Sequence, residues 1–211
     1  DHRDLHSFPT RRSSDLKVND NFGFNGAGIH IGINSISISN CDIYNNHATN
    51  IGGGIYMHYS DNLSVSVSQN DIHDNLSDIT GGGFAILAYS NMLFENNIAR
   101  NNQAANGAGG TLIGGSPSIV NNKFCNNSTI SSAGKGGGLY LESCNANVVN
   151  NLFANNTARS AAAIYFTNGS NAKIIGNTLS NNHSINVAGA IIVASQSNPS
   201  NPIFKKDRKS V

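Results

Sequence analysis

The feature that most restricts this chain is a pair of Asn residues set around an apolar residue, recurring along most of its length. Val18, Ile43, Ile72, Ile98, Phe124, Phe153 and Leu179 can be taken as position zero, and the copies then follow at intervals of 25–29 residues. Three residues further on stand Asn21, Asn46, Asn75, Asn101, Asn127, Asn156 and Asn182. Two residues before position zero stand Asn70, Asn96, Asn122, Asn151 and Asn177, with Cys41 in one copy and Leu16 in the first. Five residues before it stand Ile38, Val67, Leu93, Ile119, Val148 and Ile174, all apolar. Length varies only after the second Asn, where small residues lead into a short apolar run, as in Gly52-Gly53-Gly54-Ile55 and Gly136-Gly137-Gly138-Leu139.

A fixed period of this length implies a stack of like units, each too short to bury its own apolar face. The alternation in Ile36-Ser37-Ile38 and Val65-Ser66-Val67 is that of a strand with one buried side. No sustained 3.6-residue periodicity is present, and Gly and Asn oppose helix. The two apolar positions of each copy are an odd number of residues apart, so a continuous strand would point them to opposite faces. A tight bend must lie between them, and the Asn two before position zero, tolerant of the left-handed conformation, is the expected place for it. Stacked copies can also bond their Asn amides along the column. A buried Asn without such partners would cost about 1–3 kcal/mol. The expected fold is all-β: a right-handed parallel β-helix of about seven coils, with the Asn residues of both rows forming ladders. The small-residue patches mark a further corner or a close backbone approach.

The ends read differently. Residues 1–16 and 207–211 can be reverse-translated into a common short-read sequencing adapter and the reverse complement of its end. Both are expected to be artefactual tails flanking a single β-helix unit of residues 17–206. Their basic residues then give no support for nucleic-acid binding, and the outermost coils are expected to self-associate through open strand edges. Charged residues are only 12% of the chain, about half the usual share. Cys41, Cys125 and Cys144 fit neither a zinc pattern nor a disulfide framework and are expected to be buried. No apolar run approaches the roughly 18 residues of a membrane-spanning helix.

The segments Phe94-Glu95-Asn96-Asn97, Phe124-Cys125-Asn126-Asn127 and Phe153-Ala154-Asn155-Asn156 fit an F-x-x-N pattern. Gly52 to Ile55, Gly81 to Phe84 and Gly136 to Leu139 are similar to a companion G-G-A-[ILV] pattern, with Gly or Ala at its third position. Together they resemble the repeats of polymorphic outer-membrane proteins and, more broadly, bacterial right-handed parallel β-helix repeat proteins. The resemblance implies a secreted or cell-surface location, the bacterial outer membrane in particular, and carries over no catalytic residue. The same architecture resembles that of pectate lyases and polygalacturonases, so a carbohydrate-active enzyme has to be weighed.

Catalysis on a polysaccharide needs clustered carboxylates and a neighbouring base. Stacking the copies places Asp42, Asp71, Asn97 and Lys123 in one outward row before position zero, with Tyr44 and His73 one residue after it and Asp74 and Arg100 two after. Asp42, Asp71, Asp74, His73, Arg100 and Lys123 are therefore the candidate catalytic face. Two carboxylates a strand spacing apart repel and invite a cation, calcium being the ion considered. The spacing matches no EF-hand or nonapeptide calcium repeat, so no cofactor or metal ligand is assigned. The alternative is a solvated polar face with Lys123 in compensation. A second row, His30, Tyr56, Ala85, Tyr140 and Tyr165, is expected to point outward; its aromatic members either stack on glycan or pack as cross-strand pairs. The register of the copy at residues 107–113 stays open. No G-x-S-x-G elbow is present, and the glycines precede strands, so they form no phosphate loop. The reading is a secreted or surface solenoid with a structural, adhesive or passenger-type role, leaning away from catalysis. The alternatives are a polysaccharide lyase or glycoside hydrolase, and a non-catalytic binder of polysaccharide or host-surface glycan.

Overall fold

Each Asn-Asn dipeptide divides two tasks between its residues. The first Asn adopts positive φ, as at Asn45, Asn121, Asn126, Asn150 and Asn155. The second turns inward and is buried, as at Asn46, Asn122, Asn127, Asn151 and Asn156. Asp74, Gln69 and Gly176 take the first role where the dipeptide is not Asn-Asn. The left-handed bend thus falls three residues before position zero, not two: one residue supplies the corner and the next supplies the ladder. A side chain that must bond both neighbouring coils needs a buried inward position, while the αL residue projects outward.

A computed structural model describes residues 16–32, 35–58, 65–87, 92–194 and 198–206. The expected tails lie outside the described residues, except for Leu16. Among the described residues there are four sheets, each parallel and seven-stranded. Successive strands of one coil, for example Asp42–Tyr44, His47–Ile51, Ile55–His58 and Val65–Ser68, belong to the first, second, third and fourth sheet in turn. Each then pairs with its counterpart one coil later, as Ile43 with Ile72 and Val67 with Phe94. The result is the right-handed parallel β-helix expected from the repeat. Among the described residues no helix is long and apolar enough to cross a membrane.

One copy is shifted by a residue from the sequence reading. Ala99, not Ile98, pairs with Ile72 and Phe124 at the inward position. Asn96 and Asn101 therefore lie at the αL corners, and Asn97 and Asn102 occupy the ladders. Leu93 likewise yields its inward place to Phe94. Ile98 is the larger apolar residue, but a slip of one would turn every side chain of the coil to the wrong face.

The ladders are complete through the middle of the stack. Asn75 Nδ2 donates to Asn102 Oδ1 at 3.1 Å and to the Ile43 carbonyl at 2.9 Å. The second ladder runs Asn70, Asn97, Asn122, Asn151, Asn177 in the same manner, and its first rung is the backbone N–H of Cys41 donating to Asn70 Oδ1 at 2.9 Å. Between the ladders lies an apolar column in which Phe84 stacks on Phe94 at 4.2 Å and Phe124 on Phe153 at 4.8 Å between ring centroids. Buried small residues, Ala48, Ser77, Ala104 and Ala158, keep the second sheet close to the core. At the next corner Gly81 has φ 71°, and a Cβ there would lie 2.5 Å from the Phe84 carbonyl oxygen. Gly110 faces the core beneath the Phe84 ring, which settles the register at residues 107–113.

The candidate functional face on the first sheet

Short strands of the first sheet alternate in, out, in, out, so the residues flanking each inward position project to solvent. The row before it runs Lys17, Asp42, Asp71, Ile98, Lys123 and Leu152. The row after it runs Asn19, Tyr44, His73, Arg100, Cys125 and Ala154. The one-residue shift has a direct consequence here. Arg100 moves into line with His73, and Ile98 takes the place expected for Asn97. Asp74 sits at an αL corner, at φ 54°.

These residues pair among themselves. The Arg100 guanidinium donates through Nε to Asp71 Oδ1 at 3.0 Å and through Nη2 to Oδ2 at 2.9 Å. That hydrogen bond, offset in part by burial, raises the already high guanidinium pKa further. His73 bridges two carboxylates, with Nε2 2.8 Å from Asp42 Oδ1 and Nδ1 2.6 Å from Asp74 Oδ2. Both contacts can be N–H donations only when both ring nitrogens carry protons. The Tyr44 ring lies parallel to the imidazole at 5.0 Å. Lys123 stands apart, with Ile98 between it and Asp71 in the row. The compensation expected from Lys123 comes instead from Arg100.

The ligand atoms of Asp42, Asp71 and His73 lie within 4.8 Å of one another and could hold a cation. Two carboxylates and an imidazole fall short of the roughly six to eight oxygens that calcium takes. Such a mixed set is nearer to what a transition-metal ion accepts. Both Asp71 oxygens are already occupied by Arg100.

The aromatic row of the third sheet reads His30, Tyr56, Ala85, Thr111, Tyr140, Tyr165 and Ile192. Ala85 and Thr111 divide it into two ring pairs. His30 and Tyr56 are 4.8 Å apart, and Tyr140 and Tyr165 stack in parallel at 5.6 Å. Tyr56 and Tyr165 are only 7% and 6% exposed, so their faces are turned to protein. The Thr80 and Thr111 hydroxyls, 2.6 Å apart, tie the end of the second sheet onto this row. Tyr140 donates to Glu142 at 3.3 Å, and Asn168 donates to the other Glu142 oxygen at 2.7 Å. Burial first, and then the Glu142 charge, push the Tyr140 phenol well above its ordinary value. Lys135 Nζ lies 5.2 Å from the Tyr165 ring centroid.

Of the three free thiols, Cys41 and Cys144 are buried and Cys125 is half-buried. Burial raises all three pKa values, that of Cys144 to about 12. The Arg100–Asp71 pair was not legible from the sequence, because it depends on the register of Ala99.

No curated protein and no solved structure matches the chain. A family model described as a right handed beta helix region matches residues 12–205. With four parallel sheets wound coil upon coil along that span, the chain belongs to the right-handed β-helix family.

Proposed function

We propose that this chain is a non-catalytic solenoid segment of a secreted or cell-surface protein, serving as a stiff spacer or adhesive, passenger-type unit. The observation that carries the reading is the pairing on the first sheet. Each carboxylate of the candidate catalytic face already has a partner: Arg100 for Asp71, and His73 for Asp42 and Asp74. The Asp71 and Asp42 pairs join neighbouring coils and fasten the stack. A glycosidase needs two carboxyl groups roughly 5–9.5 Å apart with the scissile bond between them. The surface-repeat resemblance supports the location, with the bacterial outer membrane as the proposed site.

A glycan-directed role is the second reading, favoured by the close approach of Asp42, Asp71 and His73. The deciding experiment is an assay of the purified chain against acidic and neutral polysaccharides, with and without calcium, following retention and new reducing or unsaturated ends. The expected result is no cleavage by the wild type. Cleavage that Asp71→Asn abolishes would replace the spacer reading with a carbohydrate-active enzyme. Retention on one glycan without cleavage would make the unit a binder.

A further inference from the structure

We propose that the outward surface of the first and fourth sheets pairs two copies of this chain side by side and antiparallel, the acidic coils of one lying against the basic coils of the other. The charges are segregated along the rod. Between Lys17 and Arg100 every Asp, Glu, Lys or Arg is an acid, and from Arg100 to Lys206 every one but Glu142 is a base. Stacking turns that division of the sequence into a division of the surface, because each coil occupies one level of the solenoid. The boundary is the coil that begins with strand Ile98–Arg100. It lies in the interior of the stack, whatever adjoins the ends.

The first and fourth sheets meet at the αL corner, so their outward rows form one surface. On it Asp42, Asp71 and Glu95 stand in the two coils before the boundary, and Lys123 and Lys173 in the two after it. Both lysines are exposed and Glu95 is half-buried. Glu95, Lys123 and Lys173 have no ion-pair partner among the described residues. A copy turned end for end about a two-fold axis at the Ile98 coil brings Asp71 and Glu95 level with Lys123, and Asp42 level with Lys173. The half-buried Ile98 side chains of the two copies meet at the axis. Arg100, also near the axis, is neutralised by Asp71 of its own chain. An in-register parallel copy would set acid on acid and base on base, which disfavours that orientation. The two-fold contact is isologous and closes at a dimer. The pattern is complementary to its own reverse, whereas a polymer of one charge sign would be repelled by half of the surface, so the occupant is a second copy.

The test is sedimentation of the whole chain from micromolar to near-millimolar concentration, at low and at high salt. At low salt the wild type is expected to rise in mass to the dimer and stop there. At high salt it should stay monomeric, because the screening length falls to about 3 Å at 1 M salt. Reversing one half of the pattern, as Lys123→Glu/Lys173→Glu or as Asp42→Lys/Glu95→Lys, should give a monomer at low salt. An equimolar mixture of the two variants should dimerise again, since each reversed half then meets its complement. Carbodiimide cross-linking of mixed unlabelled and nitrogen-15-labelled wild type should join Lys123 of one copy to Asp71 or Glu95 of the other. A wild type that is monomeric at low salt, a mass that grows past the dimer, or a dimer that survives high salt overturns the proposal. So does a reversed variant that dimerises by itself, or a cross-link joining Lys123 only to Glu142 of the other copy, at the same level of the rod. Far-UV circular dichroism melts establish that each variant is folded before its mass is interpreted.

Discussion

The side-chain amide of Asn127 donates to Oδ1 of Asn156, 2.9 Å away on the next coil. The same Nδ2 donates to the Ala99 carbonyl at 3.0 Å, and Asn127 Oδ1 accepts the backbone N–H and Nδ2 of Asn102. All of its hydrogen-bonding capacity is used inside the protein. Asn127→Ala leaves two buried donors of Asn102 without an acceptor, at a cost of about 3 kcal/mol or more. Its neighbour Asn126 is exposed at φ 57°, a conformation Gly adopts freely. Asn126→Gly should therefore change stability by no more than a few tenths of a kcal/mol. Urea unfolding of the two variants side by side measures the difference between ladder and corner.

Phe84 and Gly110 form a second interdependent pair. A Cβ on Gly110 would lie 2.3 Å from the Phe84 ring, and that ring is stacked between coils in a closely packed core. Gly110→Ala should destabilise by about 1–3 kcal/mol through overpacking. Adding Phe84→Leu should recover part of that loss, so the two changes together cost less than their sum. A double-mutant cycle from thermal or urea melts checks the coupling.

Arg100 and Asp71 are each about a third exposed on their side chains. An ion pair this open contributes about 1 kcal/mol or less and weakens with salt. Arg100→Ala and Asp71→Asn should each lower stability by that amount, with the effect shrinking as salt is raised. The measurement is the unfolding midpoint at low and high ionic strength. A salt-insensitive loss of several kcal/mol would show that the pair holds the coil register itself.

Cys144 is fully buried, and burial raises its thiol from 9.0 to about 12. The folded state therefore holds this proton more tightly than the unfolded chain. The stabilising contribution is fully present below pH 9 and is lost as pH rises from 9 towards about 12. Unfolding midpoints should fall across that window, and Cys144→Ala should flatten the fall. The upward shift of Tyr140 acts in the same direction. The native thiol should also resist alkylating reagents at pH 8 while the urea-unfolded thiol reacts.

Much of the architecture was legible because the Asn spacing is a mechanical requirement. A ladder works only when the same residue returns at the same place in each coil, so Asn75, Asn127, Asn156 and their companions declared the stack directly. The bend between apolar positions was also readable from their odd separation. Its location was not, because adjacent Asn residues look alike in sequence and differ only in φ. The candidate site was less legible still. His73 lies against both Asp42 and Asp74, and Ala85 already broke the aromatic row in the sequence, whereas the second break, at Thr111, depended on the register of residues 107–113.

The sequence by itself determined the period, the parallel stacking and which residue types fill the ladders, since each follows from local geometry repeated along the chain. Only the tertiary structure decided the coil at residues 96–102. There Asn96-Asn97 and Asn101-Asn102 offer an Asn in either register, and Ile98 beside Ala99 favours the wrong one. The choice is made by Ile72 on one side and Phe124 on the other, which pair with Ala99. Strand side chains alternate with a period of two, so one residue of slip exchanges the buried and exposed faces. Placing Ala99 inward leaves room beside the large rings and carries Arg100 outward to meet Asp71, a contact that no stretch of the chain specifies alone.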